Sequence, residues 1–125
     1  MNPIRFSFVC TCAACPEQYD VYRANGNLCG YVRLRWGALR ADYPDVEGKT
    51  IYYHKFHDAY KGSFDSDEER EFHLQGIAEA LAEESVSSFM STDHIKVSYK
   101  IVDFEDIKEL IEHGEEDWQR WRGIY

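Results

Sequence analysis

A chain of 125 residues with 44% hydrophobic and 15% aromatic content is large enough for one domain, residues 1–125, with its own core, and too apolar to stay disordered. Its formal net charge of −9 weighs against a protein that coats nucleic acid through charge alone. No apolar run approaches the roughly 18 residues of a membrane-spanning helix, and MNPIRFSFVC lacks the long apolar centre of a signal peptide, so the expected place is the cytoplasm, with the four cysteines reduced and no membrane partner.

The first element expected is a half-buried strand. Ile4, Phe6, Phe8 and Cys10 alternate with Arg5 and Ser7, which puts Cys10 on the core face. YDVYRANGNLCGYVRLRW follows as a hairpin, with Asn25-Gly26 expected in a tight type I′ turn. In its second strand Val32, Leu34 and Trp36 share one face, and Tyr31, Arg33 and Arg35 the other. Gly37 permits a turn into a third strand, ALRADY, which Pro44 ends. KTIYYHKF, rich in β-branched and aromatic residues, is a further strand.

Ser66 with Glu69 three residues on opens a helix through DEEREFHLQGIAEALAEE, whose apolar stripe is Leu74, Ile77, Ala78 and Leu81. After a loop, Ile95, Val97, Tyr99 and Ile101 alternate inward on another strand. Asp103 caps a second helix with Phe104, Ile107, Leu110 and Ile111 buried, and EEDWQRWRGIY suggests a short third. The expected class is α+β, a mainly antiparallel sheet covered by two to three helices.

The chemistry-bearing residues form four groups. Cys12-Ala13-Ala14-Cys15 has the spacing of half a zinc knuckle, and Cys10 and Cys29 are the sulfurs that would complete a site. With one such pair, reduced structural thiols and no bound metal are the leading expectation. His54 and His57 are three apart, a spacing that spoils chelation on a strand. No phosphate loop, serine elbow or zinc-protease motif is present, so no catalytic residue is expected and the protein reads as no enzyme. Tyr31, Arg33 and Arg35, joined by Arg40, place an aromatic ring beside guanidiniums, a set able to stack a base and clamp a phosphate, or else to pair with acids across strands.

Charge is unevenly distributed. Residues 1–64 hold 8 Lys/Arg against 6 Asp/Glu, a net +2; residues 65–125 hold 6 against 17, a net −11. The acidic part should repel phosphate backbones and attract basic protein surfaces. Glu109, Glu112, Glu115 and Glu116 form its expected contact face, with Trp118, Trp121 and Tyr125 as apolar anchors.

YDVYRANGNLCGYVRLRWGALRADYPD together with FDSDEEREFHL resembles small proteins of bacteriophages and other mobile elements, over roughly residues 10–84. The resemblance implies a viral origin and, from the habits of that class, a non-enzymatic inhibitor of host defence working in the host cytoplasm. Its partner would be a host protein with a basic surface, met by the acidic helices. The alternatives are a binder that sequesters a nucleotide on Tyr31, Arg33, Arg35 and Arg40, and a zinc-stabilised interaction module. A homo-oligomer is compatible with each.

Overall fold

The computed structural model describes residues 4–14, 16–85, 96–103 and 105–108. Five strands run in chain order: β1 (Ile4–Cys12), β2 (Glu17–Arg23), β3 (Leu28–Arg35), β4 (Ala38–Tyr43) and β5 (Lys49–Lys55). Helix α1 (Asp67–Ser85) follows, then β6 (Val97–Val102). The six strands form one sheet in the order β5-β4-β3-β2-β1-β6. The first five pair antiparallel with their chain neighbours, and β6 alone pairs parallel, against β1. Helix α1 therefore carries the chain from one edge of the sheet to the other, as a parallel pair requires. It packs on β5, β6 and β1.

The core lies between α1 and one sheet face. Leu74, Ile77, Ala78 and Leu81 are buried as their spacing demands, against Phe6, Phe8, Tyr19, Val21, Val32, Leu34 and Leu39. Each buried Leu, Ile or Phe stabilises the fold by about 1.5–3 kcal/mol over its exposed state. Gly30 lets helix and sheet approach, since a Cβ there would meet the Leu81 side chain at 3.2 Å. The helix opens as expected: the Glu69 N–H donates to Ser66 Oγ, and the Glu69 carboxylate accepts from the Asp65 N–H, one residue before the usual partner. On the opposite face Val9 is covered by Ile107, beside Tyr22 and Val102.

Several expectations are corrected. Among the described residues there is one full helix and the first turn of a second, residues 105–108, rather than two to three helices. The segment 109–125 lies outside the described residues, as do 86–95. Cys10 is exposed, not in the core, although it pairs with buried Tyr19, because no described residue covers that end of β1. Ile101 is 48% exposed on the edge strand. The hairpin turns are also exchanged. Asn25 does not take positive φ; the Gly26 N–H donates to the Arg23 C=O, the Arg23 N–H to the Asn27 C=O, and Gly26 alone is left-handed at φ 87°. That is a three-residue turn ending in glycine. The two-residue type I′ geometry falls instead on Trp36 and Gly37, at φ 53° and 73°, between the paired Arg35 and Ala38. Trp36 therefore leaves the face of Val32 and Leu34 and is 65% exposed.

Candidate functional site

The sheet face away from α1 carries the expected polar set. Register places Gln18, Arg33, Arg40 and Tyr53 in one row across β2, β3, β4 and β5. The next row holds Arg35, Ala38 and Lys55, and the row on the other side holds Asp20, Tyr31 and Asp42. Alternation along each strand guarantees that these side chains project together. Tyr31, Arg33, Arg35 and Arg40 do share a face, and Tyr53, Lys55 and Trp36 extend it.

Their electrostatics differ. Arg40 pairs with Asp42 at 3.2 Å. Asp42 is buried and also accepts from the Thr50 hydroxyl at 2.9 Å and the Glu47 N–H at 3.2 Å. Arg33 stands directly opposite Arg40 and meets no acid among the described residues. Like charges directly opposite across strands repel. The Arg35 guanidinium lies 5.8 Å from the centre of the Trp36 ring, within cation–π range. The Tyr31 hydroxyl donates to Gln18 Oε1. At the other end of the face, burial and the nearby Asp45 push the Asp20 carboxyl up. The face thus runs from a cationic, aromatic end at Arg33, Arg35, Tyr53, Lys55 and Trp36 to an acidic end at Asp20 and Asp45.

The thiols are dispersed. Cys10 Sγ donates to the Cys12 C=O at 3.3 Å, and Cys12 Sγ to the Ala14 C=O at 3.4 Å. Cys29 lies in the core on β3, two strands from Cys10, and burial pushes its thiol up to about 11. Cys10, Cys12 and Cys29 are free; Cys15 lies outside the described residues. Among the described residues no three His, Cys, Asp or Glu side chains gather as a metal site. Glu109, Glu112, Glu115, Glu116, Trp118 and Trp121 also lie outside them.

No family model, curated protein or solved structure matches this chain.

Two polar clusters were missed by sequence reasoning. Glu17, 1% exposed, accepts from Arg70 Nε at 2.8 Å, from the Phe64 N–H at 3.1 Å and from the Tyr19 hydroxyl. Burial raises its carboxyl, but the Arg70, Tyr19 and Phe64 hydrogen bonds outweigh that and hold it below the usual range. The same network pushes Tyr19 up, through burial first and the adjacent carboxylate second. His73, 4% exposed, sits among Tyr52, His54, Phe56, Phe64 and Phe72, with Nδ1 2.8 Å from the Tyr52 hydroxyl. Both clusters tie α1 to the sheet or its loops. Their partners lie up to 53 positions away, so local spacing held no signal of them.

Proposed function

We propose that the protein is a non-enzymatic binding protein whose sheet face away from α1 holds a nucleotide, a phosphate-bearing aromatic ligand. One observation carries this reading: Arg33 faces Arg40 across two paired strands, and of the two, among the described residues, Arg40 alone is paired with a carboxylate, that of Asp42. A phosphate relieves that repulsion and takes planar, paired hydrogen bonds from guanidinium groups. Tyr53 beside Arg40, and Trp36 beside Arg35, supply aromatic faces for a base. Trp36 adds support of its own. A bulky residue at φ 53° is strained, and strain held in an exposed aromatic residue is common at binding sites.

The reading is tested by thermal unfolding at low ionic strength with cyclic and linear nucleotides. A ligand that binds only the folded state stabilises it by about 2.7 kcal/mol at a hundred times its Kd. Arg33→Ala and Arg35→Ala, each first shown to melt like the parent protein, should remove that gain. Absence of any nucleotide-dependent shift overturns the proposal.

A further inference from the structure

Strand β6 is an edge of the sheet, and no described strand pairs with its outer side. The Ile4 N–H donates to the Lys96 C=O at 2.8 Å, and Ile4 is in register with Val97. In a parallel pair the main-chain groups of alternate residues turn toward the neighbour. Those of Lys96, Ser98, Lys100 and Val102 therefore turn to β1, and those of Val97, Tyr99 and Ile101 turn outward. Gln75 fits this phase, since its Nε2 donates to the Val97 C=O at 2.9 Å. Beyond it, among the described residues, nothing pairs with the outward groups of Tyr99 and Ile101.

A groove of about 550 Å³ lies along this edge, between α1 and β6, lined by Asp67, Arg70, Glu71, Gln75, Tyr99 and Ile101. Its floor is aromatic and aliphatic. Its rim is acidic: the Arg70 guanidinium is shared between Glu17 and Asp67, which leaves the exposed Glu71 carboxylate without a counter-charge among the described residues. The opposite edge differs. Strand β5 begins and ends in lysine, Lys49 and Lys55, a common guard against strand addition. On β6 the one lysine, Lys100, alternates with Tyr99 and Ile101 and projects to the other face, beside Ser7.

We propose that β6 and this groove form a docking site for an extended basic segment of a partner protein. The segment adds as a further strand, bonding to the main chain of Tyr99 and Ile101. On the face toward α1 its apolar side chains rest on Tyr99 and Ile101, and a lysine or arginine at an alternate position on that same face reaches Glu71. Main-chain pairing gives such complexes affinity, and pockets for alternate side chains give them selectivity. The site is on the other sheet face from the nucleotide proposal and stands or falls independently of it.

The probe is a capped, fluorescently labelled heptapeptide, Thr-Val-Thr-Lys-Thr-Val-Thr, which sets both valines and the lysine on one face of a strand, titrated with the full chain at low salt and read by anisotropy. Saturable binding is expected, with amide hydrogen exchange at Tyr99 and Ile101 slowed by at least about tenfold on loss of one solvent-exposed opening. N-methylation of alternate peptide nitrogens should weaken binding by about tenfold or more, as two lost hydrogen bonds imply. Glu71→Lys, at an exposed position, should weaken it by a similar factor. Equal binding of the N-methylated peptide, equal binding of the same peptide with glutamate in place of lysine, unchanged exchange at Tyr99 and Ile101, or no binding at all would each overturn the proposal. A concentration-dependent dimer that protects the same two amides would also overturn it, by showing a second copy as the occupant.

Discussion

Tyr52 on β5 and His73 on α1 are joined through the phenol hydroxyl and Nδ1, 2.8 Å apart. The contact fastens the first half of the helix to the sheet edge inside a ring of aromatic side chains. Burial lowers the His73 imidazole below its ordinary value of 6.5, His54 and Lys61 push it the same way, and Glu69 opposes them. With the folded-state value depressed, the unfolded chain binds the proton more readily, and stability falls as pH drops below 6.5. Urea midpoints measured between pH 7.5 and 5 should decline on the acid side. His73→Phe should flatten that decline, and an unchanged slope would remove His73 as its source.

Tyr52→Phe deletes the hydroxyl alone. It should cost about 0.5–1.5 kcal/mol at pH 7.5, the usual net worth of one hydrogen bond. Chemical denaturation of the two proteins at equal pH measures it.

Glu17 is the second pH-dependent anchor. Its depressed carboxyl contributes stability above its ordinary value of 4.5 that is lost as pH falls through the lower folded-state value. Glu17→Gln should remove this acid limb. Arg70→Met leaves the carboxylate buried without its cation and should destabilise by about 3–5 kcal/mol at neutral pH. Paired denaturation curves at pH 7 and 3.5 separate the two effects.

The turn at Trp36-Gly37 gives opposite signs at adjacent positions. Trp36→Gly relieves a left-handed tryptophan and should stabilise by about 1 kcal/mol. Gly37→Ala keeps positive φ and sets a Cβ 2.5 Å from the Asp58 carbonyl oxygen, so a loss of about 2 kcal/mol or more is expected. If Trp36 serves ligand binding, the stabler Trp36→Gly protein should lose the nucleotide-dependent shift. Melting curves with and without nucleotide answer both questions.

Thiol reactivity should divide the cysteines. Cys10 and Cys12 stand at the end of β1, whereas Cys29 is buried and its thiol is raised to about 11. A disulfide reagent at pH 8 should modify Cys10 in the native protein and reach Cys29 only on unfolding. Rapid modification of Cys29, located by peptide mass, would contradict its place in the core.

The strands, α1 and the polar sheet face could be read from the sequence because each rests on a local period, whereas the parallel place of β6 beside β1 has no local signal. Val32 and Leu34 fix the phase of β3, and that phase places Tyr31, Arg33 and Arg35 outside. Turn geometry could not be read from residue preference. Asn25-Gly26 has the favoured chemistry, but the register of β2 and β3 makes its loop three residues long, and the two-residue loop falls on Trp36-Gly37. Cys10 keeps the alternation of β1 and is exposed, because burial depends on what lies above a strand and not on period alone. His73 broke the stripe reading as a polar residue, and its aromatic neighbours come from β5 and the following loop.

The crossover by α1 has a consequence for synthesis. β1 through β5 form a meander in which each strand pairs with one already made, but the last place beside β1 is filled by Val97–Val102. During translation the edge of β1, with Phe6, Phe8 and Val9, stays unpaired until some ninety residues later. Nascent chains that stall before β6 therefore present a bare apolar strand to one another. Ribosome pausing upstream of Val97 should drive them to aggregate, whatever the stability of the finished fold.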